Sequence, residues 1–155
     1  MQRITQEELS DIVMNNKDSM YRLAFSIVRS DADAQDAVSE AIVRAFEKRD
    51  KIKKPASAKS WLMQILVNTS KRIVAQSHRF ILTEDENQYE QVVAFESDEM
   101  WTTVMELDEE FREVVVLYYY EQFSVKEIGK MLRIPDGTLK SRLSRAREKL
   151  LHIIE

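Results

Sequence analysis

The sequence contains no cysteine, and only two glycines, two prolines and two histidines in 155 residues. Without cysteine, disulfides and thiolate metal sites are excluded. The two histidines, His78 and His152, are too far apart in the sequence to indicate a metal centre. So few glycines leave no room for a Gly-rich phosphate loop, a nucleophile elbow or a βαβ cofactor fold. We therefore predict a protein that is not an enzyme, with no catalytic residues, no metal and no cofactor.

Long apolar runs are also missing from the sequence. No stretch approaches the roughly 18 uninterrupted apolar residues of a membrane span, and no apolar signal segment stands at the N-terminus. These features predict a cytoplasmic protein.

The composition favours helix nearly everywhere. Alanine, leucine, glutamate, lysine, arginine and methionine are abundant, and these residues have the highest helix propensities. The regularly spaced turn signals of a β protein do not occur. A chain of this length can form one compact domain or two small ones. We predict an all-α fold.

Charge is unevenly distributed along the chain. Residues 1–43 hold four basic and eight acidic side chains, and residues 44–79 hold ten and two. Residues 80–113 hold one and twelve, and residues 114–155 hold eight and five. Two basic regions are thus separated by an acidic one, which indicates two surfaces that contact a polyanion.

Helical spacing of apolar residues organises the first half of the chain. Residues 9–27 form one long helix or two short ones, since Asp18 and its neighbours interrupt the pattern. A second helix starts at Ser30 or Asp31, either of which can act as N-cap. A lysine-rich loop with Pro55 follows, and then a third helix from about Ser57 to Gln76. These helices predict a first domain over residues 1–79.

Residues 80–97 show no sustained period and are interpreted as an acidic linker. A second domain over residues 98–155 then contains about four helices. Ser124 and Glu127 have the spacing of a capping box at the start of the third of them. The fourth begins around Pro135 and Asp136. The turn between these two helices is only a few residues long.

The last predicted helix is basic although the whole chain carries a net charge of −4. At about 100° per residue, one apolar stripe faces the core and consists of Leu139, Leu143, Ala146 and Leu150. Serines and Arg145 lie opposite, with cations on both flanks. Such a face can approach base edges while its flanking cations reach phosphates. Together with the capped helix before it, this helix predicts a DNA-binding helix-turn-helix.

Three segments, in family order, resemble one bacterial family. The segment "FSVKEIGKMLRIPDGTLKSRLSRAREKL" resembles the C-terminal helix-turn-helix of sigma factors, especially the small extracytoplasmic-function (ECF) branch. The segment "DADAQDAVSEAIVRAF" is similar to the polymerase-binding helix of that branch, and "AKSWLMQILVNTSKRIVAQSHR" to its minus-ten-reading helix. The resemblance implies a dissociable initiation subunit that directs core RNA polymerase to promoter DNA.

The resemblance and the charge pattern assign candidate site residues to three surfaces. The predicted contacts to the minus-35 duplex are Thr138, Lys140, Ser141, Arg142, Ser144, Arg145 and Lys149. The resemblance implies that the unwound minus-ten strand is bound by Lys53, Lys54, Lys59, Asn68, Lys71 and Arg72. It also implies that core polymerase is bound by Gln35, Asp36, Glu40 and Arg44.

Two positions depart from the pattern of many relatives. The loop "KIKKPASA" lacks their aromatic residue and glycine, and Arg72 stands where Asp or Asn is common. Trp61 suggests a stacking platform for a base, but its place beside Leu62 and Ile65 favours core packing. The departures leave the minus-ten preference open and do not affect the predicted fold.

The resemblance also implies a partner protein. The resemblance implies an anti-sigma factor, often membrane-bound, that covers both domains and can hold the chain at the membrane. A helix-turn-helix regulator that acts without polymerase is the main alternative, and an all-helical protein-interaction module is a third class.

The linker acids Glu84, Asp85, Glu86 and Glu90 either keep the linker soluble or imitate a polyanion in the RNA path of the polymerase.

Overall fold

The computed structural model describes residues 3–52, 54–80 and 99–154, which form helices and turns with no β-strand among them. The chain divides into two compact units, Met1–Gln91 and Val92–Glu155. The predicted all-α fold with two helical domains is confirmed. The predicted linker, with Glu84, Asp85, Glu86 and Glu90, lies outside the described residues except for Phe80. Within the described ranges, no helix combines the length and the apolar character that crossing a membrane requires.

The part of the first unit that the structure describes contains four α-helices. Its first half forms two short helices, because the chain breaks at Asn16, whose side-chain Nδ2 donates a hydrogen bond to the Ile12 carbonyl at 2.7 Å. Short 3₁₀ turns at Arg49–Lys51 and Pro55–Ser57 precede the last helix. The helices are α1 Gln6–Asn15, α2 Lys17–Val28, α3 Asp31–Glu47 and α4 Ala58–Phe80.

Side-chain caps fix where helices of this unit begin. Thr5 and Glu8 form a capping box at the start of α1, with each side chain accepting from the other's backbone N–H at 3.0 and 3.1 Å. Ser30 is the N-cap of α3, and its hydroxyl accepts from the Asp33 N–H at 3.3 Å. The preceding helix ends at Arg29 in the left-handed conformation, with φ of 55°. The chain therefore reverses between α2 and α3 within two residues.

The core of the first unit is built around a face of small side chains on α3. This face packs against both α2 and α4, and its members Ala34, Ala37, Ala41 and Ala45 have no exposed surface. The opposing helices supply large apolar side chains that are also fully buried: Met20, Leu23, Leu62, Met63 and Leu66. Because alanine side chains are short, the three helices can approach closely.

The second unit has a helix-turn-helix at its C-terminal end. Its helices are α5 Glu99–Met105, α6 Glu109–Val115, α7 Val125–Leu132 and α8 Asp136–Ile154. A π-helical turn at Val116–Tyr120 continues α6, which the sequence pattern did not predict. The core includes Trp101, Val104, Val114, Leu117, Ile128, Leu139 and Leu143.

The capping box of α7 leads to a prediction about stability. The Ser124 hydroxyl accepts from the Glu127 N–H at 3.1 Å, and the Glu127 carboxylate accepts from the Ser124 N–H at 3.0 Å. Ser124→Ala leaves the first N–H without its partner and should lower the free energy of unfolding of this unit by about 1 kcal/mol. Urea unfolding followed by tryptophan fluorescence measures the change. A Trp61→Phe background leaves buried Trp101 as the single reporter.

Thr102→Ala is the matched control for that substitution. Thr102 is exposed in α5 and outside any cap, so its removal should leave the urea midpoint unchanged or slightly raised. Equal destabilisation by the two variants would contradict the role given to the cap.

Candidate nucleic-acid and partner-binding surfaces

The turn between α7 and α8 brings two backbone segments into close contact. Arg133 ends α7 in the left-handed conformation, with φ of 58°. The Ile134 N–H then donates to the Gly129 carbonyl at 3.1 Å. A Cβ atom at Gly129 would lie 3.1 Å from the Ile134 oxygen and 3.5 Å from Asp136 Oδ1. A side chain added at Gly129 would therefore press on the backbone of the turn.

The exposed face of α8 is polar and basic. Its apolar stripe is in the core as predicted, with Leu139, Leu143 and Ala146 buried and Leu150 half-buried. Six of the seven residues predicted to bind the minus-35 duplex are exposed: Thr138, Lys140, Ser141, Ser144, Arg145 and Lys149. Hydroxyls and a guanidinium thus stand together on the surface, where donors and acceptors can reach base edges.

Two cations at one side of α8, Arg142 and Lys149, contact residues of α6. Arg142 is half-buried, and its Nη1 lies 3.8 Å from an oxygen of the buried carboxylate of Glu113. The Lys149 ammonium lies 5.2 Å from the centre of the Phe111 ring. Of the two predicted contacts, Arg142 is therefore held by a charge partner and Lys149 by an aromatic face.

At about 100° per residue, Arg147 lies on the flank of α8 opposite Arg142 and Lys149. Its Nε donates to the Tyr119 hydroxyl at 2.5 Å, and its guanidinium carbon lies 5.7 Å from the centre of that ring. The π-helical turn carries Tyr119 and leaves it 46% exposed.

A groove of about 520 Å³ runs along one side of the exposed face of α8. It is lined by Thr138, Ser141, Arg142 and Arg145 together with residues of α6 and the turn: Glu110, Phe111, Pro135 and Gly137. Sequence analysis missed Glu110 and Phe111, because they precede α8 by more than twenty residues and show no basic or hydroxyl pattern. Glu110 places a carboxylate beside the basic groups.

In the first unit, the predicted polymerase-binding residues share the outer face of α3. Asp36 is exposed, while the side-chain Nε2 of Gln35 donates to Asp31 Oδ2 at 3.0 Å. The Glu40 carboxylate lies 3.4 Å from Arg44 Nε one turn later in the same helix. It also accepts a hydrogen bond from Arg72 of α4. The structure thus brings together one residue assigned to polymerase and one assigned to DNA.

The groove between α3 and α4 surrounds this ion pair and has a volume of about 710 Å³. It is lined by Asp33, Asp36, Ser39, Glu40, Val43, Arg72, Ile73, Gln76 and Ser77. Burial raises the pKa of Asp33, and the neighbouring charge of Asp36 raises it further. Val43 is 57% exposed among these polar groups, and sequence analysis missed it because it lies outside the apolar stripe of α3.

The predicted minus-ten residues are distributed over the outer side of α4 and the loop before it. Lys54, Lys59 and Asn68 are exposed, and Lys71 and Arg72 are half-buried. Lys53 lies outside the described residues. Trp61 is half-buried rather than in the core, because the buried face of α4 is formed by Leu62, Met63, Leu66 and Val67. The core packing favoured for Trp61 is therefore wrong in part, and some of its ring surface is accessible.

The second unit also has an apolar groove of about 500 Å³. It is lined by Met100, Val104, Val115, Tyr119, Tyr120, Arg147, Leu150 and Leu151. Met100 and Leu151 are 44% and 60% exposed. Clustered exposed apolar side chains of this kind mark interaction surfaces more often than isolated ones do.

The chain matches two family descriptions that together cover most of its length. Residues 12–80 match Sigma-70 region 2, and residues 97–150 match Sigma-70, region 4. ECF RNA polymerase sigma factor SigW of Bacillus subtilis is 31% identical, over 94% of this chain and 88% of its own length. RNA polymerase sigma factor SigV of the same organism is 27% identical, over 92% and 88%.

Two solved structures are similar in fold. The sigma factor RpoE, in complex with the anti-sigma factor NepR from Bartonella quintana, has a TM-score of 0.78 at 22% identity, over 94% of this chain and 95% of that one. CnrH, in complex with the cytosolic domain of CnrY, has a TM-score of 0.71 at 22% identity, over 97% and 89%.

The chain belongs to the ECF branch of the sigma-70 family of RNA polymerase sigma factors. The resemblance stated from the sequence is thus confirmed, as is the function of an RNA polymerase sigma factor. The individual site residues remain predictions.

The two glycines of the chain should respond in opposite ways to an added side chain. A Cβ atom at Gly137 meets nothing within 4 Å, so Gly137→Ala should raise the free energy of unfolding by about 0.5–1 kcal/mol through helix propensity. Gly129→Val should lower it by about 1–3 kcal/mol, since the valine overlaps the Ile134 carbonyl. Urea unfolding of both variants gives the comparison. Destabilisation by Gly137→Ala, or none by Gly129→Val, would contradict the described turn.

Proposed function

We propose that this sigma factor binds core RNA polymerase through α3, holds the unwound minus-ten strand along α4, and reads the minus-35 duplex with α8. The observation that carries the proposal is the exposed face of α8, where serines and cations stand together behind a capped helix and a tight turn. A helix presented in this way enters the major groove with its N-terminal residues against the base edges.

The division of cations on α8 supports distinct roles for them. Arg145 is exposed and lines the groove together with Ser141, and an arginine in such a place pairs with the O6 and N7 atoms of guanine. Arg142 and Lys149 are held by Glu113 and Phe111, which limits their reach. We assign these two residues to phosphates at the edge of the major groove, where position matters more than base identity.

The outer face of α3 supports docking of a polymerase helix that carries basic and apolar side chains. Asp36 and Glu40 offer carboxylates on neighbouring turns, and exposed Val43 lies beside them. Charged groups around one apolar side chain are typical of an interface in which charge gives orientation and burial gives affinity.

The exposed residues of α4 support binding of a single DNA strand. Lys54 and Lys59 are available to phosphates, and Asn68 can donate to and accept from a base. Removing a base from the duplex costs a few kcal/mol. The accessible part of the Trp61 ring can return some of this, since stacking on an aromatic side chain contributes about 1–3 kcal/mol per base.

We further propose an anti-sigma factor as a partner. RpoE, whose fold this chain shares, was solved in complex with the anti-sigma factor NepR, and CnrH was solved in complex with the cytosolic domain of CnrY. The apolar groove of the second unit fits an amphipathic helix of such a partner, because its exposed lining consists mainly of Met100, Tyr119 and Leu151. A partner in this groove would contact α8 at Arg147, Leu150 and Leu151. We place the free and the polymerase-bound protein in the cytoplasm, because the chromosome on which transcription starts lies there.

Run-off transcription separates this proposal from a regulator that acts without polymerase. Purified chain added to core RNA polymerase should yield a promoter-dependent transcript that neither component gives alone. The chain lacking residues 99–154 is the control for promoter choice, since it retains the predicted polymerase-binding helix. Sequence-specific DNA binding without any transcript would support the regulator instead.

Arg145 and Lys149 should differ in what they contribute to minus-35 binding. Arg145→Ala should cost about 1–3 kcal/mol and relax the preference at one base pair, because a base contact is lost. Lys149→Ala should weaken binding to all sequences alike and reduce the salt dependence by about one unit, because a phosphate contact is lost. Affinities of the polymerase-bound protein for a set of single-base variants at several salt concentrations measure both effects. The reverse pattern would show that α8 lies differently in the groove.

A further inference from the structure

The Glu40 carboxylate joins two surfaces that are expected to bind different partners. It accepts from Arg72 of α4, and Arg44 of its own helix lies 3.4 Å away. Arg72 Nη1 also donates to Gln76 Oε1 at 3.3 Å. The guanidinium that was assigned to the minus-ten strand therefore points toward α3. While it stays there, its Nη1 and Nη2 atoms donate to Gln76 and Glu40, and the N–H groups that make these bonds are not available to a phosphate.

This arrangement leaves Arg72 incompletely satisfied. Its Nε is buried and has no hydrogen-bond partner among the described residues. A buried donor without a partner is unfavourable, so the paired position is not the best environment available to this side chain. A phosphate oxygen offers an arginine two parallel hydrogen bonds. Transfer from Glu40 to a phosphate would improve the bonding of the guanidinium.

The ion pair is also weak enough to be exchanged. The side chains of Arg72 and Glu40 are 37% and 38% exposed, and pairs this accessible to water change equilibria by only about two- to fivefold. A partner that brings a cation to Glu40 can therefore displace Arg72. The released side chain lies one turn beyond exposed Asn68 on the same side of α4, where the strand is expected to pass.

We propose that Glu40 is a positioning residue that withholds Arg72 from DNA in the free chain and releases it when polymerase docks on α3. This inference rests on the proposed function of α3 and α4. Polymerase docking and strand binding then favour each other, because both need the ion pair of Glu40 and Arg72 to be broken. A cation of the polymerase takes the carboxylate, and the freed guanidinium binds a phosphate of the non-template strand.

The test uses the full-length chain without polymerase and a fluorescein-labelled single-stranded DNA of 20 nucleotides. Glu40→Gln should tighten binding about two- to fivefold at low salt, because Arg72 is released. It should also steepen the salt dependence by about 0.7, the increment of one added phosphate contact on a single strand. Adding Arg72→Gln should remove the gain, whereas Arg72→Gln in the wild-type chain should change little.

Glu47→Gln is the matched control, since it removes the same charge from an exposed position near the end of α3. Equal tightening by Glu40→Gln and Glu47→Gln would overturn the inference. So would a loss of DNA affinity from Arg72→Gln that is the same in the wild-type chain and in the Glu40→Gln chain. Circular dichroism at each condition verifies that the variants remain folded. Run-off transcription by the wild-type chain tests the proposed function separately, so a transcript without the Glu40 effect would overturn this inference alone.

With core polymerase present, the dependence on Arg72 should reverse. Arg72→Gln should then weaken capture of the labelled strand about two- to fivefold in an otherwise wild-type chain, since docking has already released the guanidinium. An effect of Arg72→Gln no larger with polymerase than without it would contradict release on docking.

Discussion

Close packing of the alanine face of α3 is the constraint on which the first unit depends. Ala34, Ala37, Ala41 and Ala45 are buried between α2 and α4, so the helix cannot rotate without moving larger side chains into this space. Its acidic face is thereby fixed toward solvent. At the border of that face, α4 is close enough for Arg72 to reach Glu40. A single packing requirement thus sets both the docking face and the ion pair beside it.

The second unit controls its cations in a different way. Residues behind α8 hold the basic side chains nearest to them: Glu113 contacts Arg142, Phe111 contacts Lys149 and Tyr119 contacts Arg147. Lys140 and Arg145 extend from the outer face. Restricting some cations lowers the entropy lost when DNA binds, while those on the outer face remain able to adjust to bases. The helix therefore presents fewer mobile charges than its sequence suggests.

Local patterns in the sequence were sufficient for most of the fold and for part of the site. The capping box at Ser124 and the apolar stripe of α8 depend on spacings of three or four residues, which can be read directly. The pair of Glu113 and Arg142 joins positions 29 residues apart, so no local pattern indicates it. Core packing was predicted for Trp61 because Leu62 and Ile65 are close to it in the sequence. The buried face of α4, however, is centred on the side of the helix opposite Trp61. The π-helical turn is a backbone feature, and a run of apolar residues has no period that would reveal it.

Small binding surfaces on each unit are consistent with a protein that works only when assembled. The two or three phosphate contacts proposed for each unit would give it an affinity within the non-specific range of about 10⁻⁴–10⁻⁶ M. Joining both on one chain raises the effective concentration of the second surface once the first is bound. A sigma factor that bound promoters tightly by itself would also occupy them without polymerase and block initiation. Withholding Arg72 acts in the same direction, because it lowers the attraction of the free chain for DNA. Release of Arg72 when polymerase docks restores that attraction.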